Sequence, residues 1–374
     1  MRILISPDKF KGSLSAGEVA DSIAAGLGDV LPDAILDVVP VADGGEGTAE
    51  VISQSKGGEW NSCDAHDALG RAISGRYLRF RDDAMAIMEM SETAGGWRIS
   101  PQDRDPISSN TYGVGQMLLA AAHRSHEVIV GLGGSITNDG GFGMARALGY
   151  RFLDSAGVPL NPRVSSLLDL ERIESPADLI LPRVTAASDV RNPLLGSRGA
   201  TRTFGPQKGV QADQIETLER ALTRFSEVVA RDVGRDYREI PGAGAAGGLG
   251  FGLLSFCHAD IKGGFEVVAE MINLEAAVAR ADFVVTGEGR LDAQTLEGKA
   301  PAGVARLARK LGKPVFAIVG SATEDLRTRT VFDQVFVLAR PPVTREGSMR
   351  RAGLLLRERG RELGTSLRKI GPKY

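Results

Sequence analysis

Four strand-like runs of apolar residues each lead directly into a loop that is rich in glycine and acidic residues. The four segments are ILISPDKFKGS, LDVVPVADGGEG, VIVGLGGSITNDGG and FVVTGEGRLD. Glycine lets backbone N–H groups approach an anion closely, and the N-terminus of a following helix adds a favourable dipole. Ligands of parallel α/β sheets bind at the carboxyl ends of strands. The pattern therefore predicts an α/β fold with a phosphate site built from several strand ends.

Strands and helices alternate at both ends of the chain. Ser15 and Glu18 form a capping box before a periodic helix, and the alternation returns between residues 283 and 338. From residue 59 to 100 the segments are shorter and show period-two patterning. We predict a doubly wound, mostly parallel sheet domain formed by residues 1–60 and 282–374, with a second α/β domain, 61–281, inserted. The active site is expected in the cleft between the domains.

Helical periodicity places further elements along the chain. Helices are expected at 48–56, 110–124, 138–148, 213–233, 274–280 and 302–311. Asp213 and Glu216 predict a capping box at the start of the fourth. The segment 345–373, in which leucines are interleaved with arginines, predicts an amphipathic closing helix.

Composition excludes several classes of protein. The chain has 374 residues, 43% of them hydrophobic and 25% charged, as in ordinary globular proteins. A net charge of −2 and a pI near 6.2 give no electrostatic reason to expect nucleic acid or an anionic membrane. Neither a leader pattern nor an apolar run of membrane-spanning length occurs, and Cys63 and Cys257 lie far apart. We expect a cytoplasmic protein with a small-molecule ligand.

The first two loops combine acidic groups with cations or glycines. Asp8, Lys9 and Lys11 lie between a strand end and a capped helix, where they suit an acid or a nucleotide. In VADGGEGT, the carboxylates Asp43 and Glu46 suit a magnesium ion bound to phosphate oxygens. A solvated loop with ordinary helix caps is the alternative explanation for both motifs.

The segment GLGGSITNDGGFGMARALG has the highest glycine content. Six glycines between Gly131 and Gly143 surround Ser135, Asn138 and Asp139. So many unobstructed N–H groups predict a concave anion nest, and a purely structural loop rarely needs as many glycines. In TAASDVRNPL, Asp189 is expected to project from another strand end, although it could equally begin a turn.

The motif TGEGRLDAQTLEGK contains the parts that phosphoryl transfer needs. Glu288 and Asp292 supply carboxylates, and Arg290 and Lys299 supply cations beside Gly287. A surface ion pair between Arg290 and Glu288 is the alternative for those two residues.

A Gly-x-Gly-x-x-Gly pattern occurs at Gly242, Gly244 and Gly247, but no apolar strand precedes it, as a dinucleotide fingerprint requires. No Walker motif Gly-x-x-x-x-Gly-Lys-[Ser/Thr] occurs either. A nucleotide site must therefore have a different construction.

Six motifs in this order resemble the bacterial glycerate kinase type 1 family. They are PDKFKGSLSA, VADGGEGT, GLGGSITNDGGFGMARALG, FGPQKG, PGAGAAGGLGFGL and TGEGRLDAQTLEGK. The resemblance implies ATP-dependent phosphorylation of D-glycerate with Mg²⁺, at the 2-hydroxyl in preference to the 3-hydroxyl, on a two-domain α/β fold. Many family members carry serine where this chain has Lys9, which makes Lys11 the stronger candidate.

The chemistry of the residues suggests individual roles. The expected site comprises Asp189, Asp292, Lys11 and Arg290 as catalytic residues, Asp8, Gly44, Gly45, Gly47, Gly133, Gly134, Ser135, Asn138, Asp139, Lys208, Gly287 and Glu288 as substrate- or ATP-binding residues, and Asp43 and Glu46 as metal ligands. Two other functions stay open: an NAD(P)-dependent hydroxy-acid oxidoreductase, resting on Gly242 to Gly247, and a noncatalytic sensor of a phosphorylated acid. The sequence does not distinguish a monomer from a homodimer.

Overall fold

The chain folds into two units in a computed structural model that describes residues 1–292, 295, 299–323, 331–340 and 344–371. One unit comprises 1–43, 50–56 and the described part of 263–374, and the other comprises 44–49 and 57–262. The helices Gly264–Met271 and Leu274–Arg280 therefore lie in the first unit, ahead of the predicted boundary at residue 282. The predicted domain limits and the interdomain location of the active site stay predictions.

Thirteen strands and thirteen α-helices are present in the described residues. The strands are β1 (Arg2–Ile5), β2 (Ile35–Val38), β3 (Glu59–His66), β4 (Ala72–Phe80), β5 (Met85–Glu89), β6 (Glu127–Gly131), β7 (Arg151–Leu153), β8 (Arg172–Glu174), β9 (Arg183–Ala187), β10 (Asp260–Lys262), β11 (Phe283–Leu291), β12 (Val315–Ala322) and β13 (Gln334–Val337). The helices are Ala16–Val30, Thr48–Lys56, Ser91–Ala94, Tyr112–Ala122, Phe142–Ala147, Ala200–Phe204, Ile215–Asp232, Ala245–Cys257, Gly264–Met271, Leu274–Arg280, Ala300–Lys310, Arg345–Arg350 and Ala352–Ile370.

The first unit is built on a five-stranded, fully parallel sheet in the order β13-β12-β11-β1-β2. Successive residues Ile3, Leu4 and Ile5 are all fully buried, so both faces of β1 are covered. On one face the sheet packs against the helices Ala16–Val30 and Ala352–Ile370. This is the predicted α/β class with a mostly parallel sheet, and the class is confirmed.

The strand order of this sheet has a topological switch point. From β1 the chain moves outward on one side to β2, and then returns to the other side of β1 with β11. Connections leave the neighbouring strands β1 and β11 in opposite directions, which opens a crevice at their carboxyl ends. The loops that follow β1 and the end of β11 therefore meet where open α/β sheets bind ligands.

The second unit contains a six-stranded sheet in the order β10-β9-β6-β5-β4-β3. Strands β5, β6, β9 and β10 are parallel, whereas β3 and β4 add an antiparallel extension. Glu89, Gly131 and Ala187 pair in register across β5, β6 and β9, so three strands end at one level. This register brings the loops after these three strands to the same edge of the sheet.

Two local predictions about elements were wrong. The segment after FVVT is not a loop, because β11 continues to Leu291 and pairs with β12 as far as Leu291 and Ala322. The helix that begins at Ile215 has no Asp213–Glu216 capping box, since a short 3₁₀ turn, Ala212–Gln214, precedes it and carries its own reciprocal cap. The Ser15–Glu18 capping box is confirmed.

Among the described residues, no helix combines the length and the apolar character that crossing a bilayer requires.

Candidate active site

Two buried carboxyl groups lie at the switch point of the first sheet. Asp8 follows β1, and its backbone N–H donates to the carbonyl oxygen of Gly287 at 2.8 Å, next to Glu288 in β11. Both acidic side chains are buried. The parallel pairing of β1 with β11 thus brings together two carboxyls that are 280 residues apart in the sequence, at a place where water is scarce.

Burial changes the ionisation of both groups. Burial raises the pKa of Asp8, and the nearby Asp43 carboxylate raises it further, while Lys9 opposes the change. Burial also raises the pKa of Glu288 to about 7, against a hydrogen bond from the Thr295 hydroxyl at 2.7 Å that favours the charged form. A carboxyl with a pKa near the working pH can accept or donate a proton efficiently.

A second group of charges surrounds the end of β11. The Nε of Arg290 lies 3.3 Å from Oδ2 of Asp292, and Nζ of Lys299 lies 3.8 Å from Oδ1 of Asp292 and 4.0 Å from Oε2 of Glu288. Lys11 is exposed in the loop after β1, whose backbone passes close to Gly289. The structure therefore brings the predicted residues of this motif together within the first unit.

In the second unit, two glycine loops are in backbone contact. A Cβ atom built on Gly133 would lie 2.3 Å from Cα of Gly45, and one built on Gly131 would lie 2.6 Å from the carbonyl oxygen of Gly44. Gly134 has a φ of +80°, which side chains rarely tolerate. No larger residue fits at these contacts, so glycine here serves the approach of backbone to backbone.

Glu89 lies beside this contact between the glycine loops, and no sequence motif singles it out. Its carboxylate accepts from the N–H of Gly47 at 3.0 Å and from that of Ala49 at 2.8 Å. It therefore caps the start of the helix Thr48–Lys56 with a negative charge, at the turn where Gly47 is predicted to bind substrate or ATP. The available signal was an acidic residue at the end of the strand AIMEM.

Lys208 anchors the larger glycine loop. Its Nζ donates to Oγ of Ser135 and to the carbonyl oxygen of Thr137, both at 2.8 Å. Burial lowers the pKa of Lys208 to about 7, and the carboxylate of Asp139 only partly opposes this change. Lys208 is thus a cation over only part of the neutral pH range, and its hydrogen bonds fix the shape of the loop.

Asp139 and Asn138 are buried within the same loop. Asp139 accepts from the backbone N–H and the hydroxyl of Thr111, each at 2.8 Å, and from the N–H of Gly143 at 2.9 Å. Burial raises the pKa of Asp139. The Nδ2 of Asn138 donates to Oγ1 of Thr201, but its buried Oδ1 has no hydrogen-bond partner within the described ranges. Asp139 therefore stabilises the loop from inside.

Asp189 lies two residues beyond β9, partly exposed. Because Ala187 is in register with Gly131, Asp189 shares a sheet edge with the glycine loop.

The Gly242 to Gly247 pattern has a structural explanation. A Cβ on Gly244 would lie 2.2 Å from the carbonyl oxygen of Pro193, and one on Gly247 would lie 2.0 Å from that of Thr137. The preceding residues, 234–241, form no strand. These glycines allow close backbone packing, and the dinucleotide fingerprint lacks its required context.

Asp43 and Glu46 have the chemistry that a magnesium site requires. Carboxylate oxygens are hard ligands, and Mg²⁺ commonly uses only one or two of them beside water and phosphate. No cluster of three or more histidine, cysteine or acidic side chains that could hold a metal occurs in the part of the chain that the structure describes. The pairing of Asp43 with Glu46 around a metal stays a prediction.

Comparison with known proteins agrees with this construction. The model of the glycerate kinase family matches residues 3–368. A glycerate kinase of Bacillus subtilis (strain 168) is 38% identical over 374 residues and 98% of each chain, and the glycerate 2-kinase of Escherichia coli (strain K12) is 40% identical over 332 residues and 87% of each chain. A crystal structure from Salmonella typhimurium LT2, described provisionally as glycerate kinase 2, superposes with a TM-score of 0.84 at 38% identity and covers 99% of both chains.

The α/β fold together with these relatives identifies a phosphotransferase that uses an alcohol group as acceptor. The chain belongs to the glycerate kinase family.

Proposed function

We propose that this protein is an ATP-dependent kinase that phosphorylates D-glycerate at its 2-hydroxyl and releases 2-phosphoglycerate. The observation that carries the proposal is the match of the glycerate kinase family model to residues 3–368, and the buried carboxyls of Asp8 and Glu288 place acidic groups at the switch point of the first sheet. Family membership implies the use of ATP, and the E. coli relative is named for transfer to the 2-position. We further propose that the protein is cytoplasmic, that it is a monomer or a homodimer, and that it binds neither nucleic acid nor membranes.

Phosphoryl transfer needs positioning and charge stabilisation more than covalent chemistry. In the proposed mechanism, Asp189 or Asp292 orients the hydroxyl of the acceptor. Lys11 and Arg290 bind the carboxylate or the phosphates, and Lys208 contributes when it is protonated.

The glycine loop at Gly133, Gly134 and Ser135 would cradle phosphate with backbone N–H groups. Asp43 and Glu46 would hold Mg²⁺, which neutralises phosphate charge when bound. The hydrogen bonds from Lys208 to Ser135 and Thr137 keep this cradle in one shape before the substrate arrives.

The test is release of ADP from ATP and D-glycerate by the wild type, Asp189→Asn and Asp292→Asn. The exposed Asp178→Asn is the matched control. A residue that positions or deprotonates the hydroxyl contributes about 10²–10⁴-fold to the rate, so at least one of the two site variants should lose about 100-fold in kcat. Wild-type rates in both would overturn the assignment of Asp189 and Asp292, and no ADP release by the wild-type protein would overturn the function.

A further inference from the structure

Arg104 lies beside the glycine loop of the second unit, although no motif singled it out. Its Nη1 donates to the carbonyl oxygen of Gln207 at 3.3 Å, immediately before Lys208. A Cβ built on Gly96 would lie 3.5 Å from Nη2 of Arg104 and 3.7 Å from the carbonyl oxygen of Gly134. Gly96 itself donates to that oxygen at 2.9 Å. The guanidinium is thus held near the turn at Gly134.

This guanidinium has no carboxylate partner among the described residues. The neighbouring acids are engaged elsewhere, since Asp103 accepts from the Ser100 hydroxyl at 2.8 Å and Asp105 accepts from the N–H of Ile107 at 3.0 Å. The Nε of Arg104 is buried and has no hydrogen-bond partner in the part of the chain that the structure describes. A buried donor without a partner is costly, so its presence beside an anion-suited loop points to a ligand that completes it.

Arg98 provides a contrast in the same region. Its guanidinium pairs with the carboxylate of Glu92 at 3.3 Å and stacks on the ring of Trp97. The charge of Arg98 is therefore already compensated, whereas that of Arg104 is not.

The chemistry of the loop explains why an arginine is needed there. Lys208 is buried, and its ammonium already donates to Ser135 and Thr137. With a pKa of about 7, it carries a full charge only in acid. A guanidinium stays charged at every physiological pH and presents a planar pair of donors that matches carboxylate and phosphate oxygens.

We propose that Arg104 binds an oxyanion of the bound substrate beside Gly134, either the carboxylate of the acid or a phosphate of the nucleotide. The inference rests on the proposed function, because it presumes that the glycine loop receives a substrate. It adds a specificity-determining residue to that site.

The test measures equilibrium binding by calorimetry, with D-glycerate alone and with MgATP alone. The proteins are the wild type, Arg104→Gln, Arg104→Lys and the control Arg220→Gln, which removes an exposed arginine from the helix Ile215–Asp232. Thermal unfolding checks that each variant is folded. If Arg104→Gln does not fold, Arg104→Lys is the variant whose Kd values are compared with those of the wild type. Loss of a charge-assisted bidentate contact should raise one of the two Kd values at least about tenfold in Arg104→Gln, and by less in Arg104→Lys.

The ligand whose Kd rises identifies the oxyanion: D-glycerate indicates its carboxylate, and MgATP indicates a phosphate. Arg220→Gln should bind both ligands as the wild type does. Unchanged Kd values for both ligands in the folded Arg104 variants would overturn this inference and leave the proposed function standing. A wild-type protein that binds neither ligand would overturn both.

Discussion

The side chain of Glu288 combines deep burial with a charge that folding disfavours. Its folded-state pKa, about 7, exceeds the ordinary value of 4.5. The folded state therefore holds the proton more tightly than the unfolded state. The free energy of unfolding that Glu288 contributes is therefore fully present below about pH 4.5, and it decreases as the pH rises from about 4.5 to 7.

Glu288→Gln should remove this pH dependence. Between pH 5 and pH 8, the free energy of unfolding should fall by about 2 kcal/mol more in the wild type than in Glu288→Gln. Urea unfolding at both pH values measures the difference, with the exposed Glu239→Gln as the control that should follow the wild type. Parallel pH profiles for wild type and Glu288→Gln would show that the carboxyl is not held in the protonated form.

The sequence predicts only some of the charged residues that are buried in the structure. The position of Glu288 and Asp8 after strand-like runs predicts that both lie at strand ends, and the parallel pairing of β1 with β11 brings them together. The burial of Lys208 could not be read from FGPQKG, since it depends on contacts with Ser135 and Thr137 some seventy residues away. Glu89 was missed for the same reason, because its partners lie on the helix near residue 48.

At the scale of elements, the contact between the loops at Gly45 and Gly133 permits no side chain. Gly133→Ala should displace the larger loop, because its Cβ would lie 2.3 Å from Cα of Gly45. We expect a loss of about 1–3 kcal/mol in the free energy of unfolding and a fall in kcat/KM of about tenfold or more.

Gly28→Ala is the control for this change. A Cβ at Gly28 would meet no atom closer than 4.0 Å, and the helix Ala16–Val30 should gain up to about 1 kcal/mol. A Gly133→Ala variant with wild-type stability and kcat/KM would contradict the argument that this contact fixes the loop.

The C-terminal helix Ala352–Ile370 offers a second test at this scale. Leu356 is fully buried against the first sheet, whereas Leu354 is 63% exposed. Leu356→Ala should lower the free energy of unfolding by about 2–4 kcal/mol, and Leu354→Ala should change it by less than about 0.5 kcal/mol. Equal effects in denaturant titrations would mean that the helix does not cover the core as described.

Element types followed from the sequence better than their ends did. The helix Leu274–Arg280 and the capped helix Ala16–Val30 appear where periodicity and the Ser15–Glu18 box predict them. Strand β11 runs past Gly287 and Gly289 because the neighbouring strand β12 pairs with it, and local composition does not contain that tertiary pairing.

At the scale of the whole molecule, the two ends of the chain form one sheet. Strand β1 pairs with β11 and β2, and the C-terminal helix covers the same core. Alternating strands and helices at both ends were sufficient to predict a parallel α/β sheet. The antiparallel extension of the second sheet by β3 and β4 was suggested only by period-two patterning.

We propose that this protein transfers the γ-phosphoryl group of ATP to the 2-hydroxyl of D-glycerate. Phosphorus NMR of the reaction of purified protein with MgATP and D-glycerate measures this transfer. We expect ADP together with one new phosphomonoester whose proton coupling identifies the phosphorylated carbon as C2. Coupling to the two protons of C3, or no new phosphomonoester at all, would contradict it.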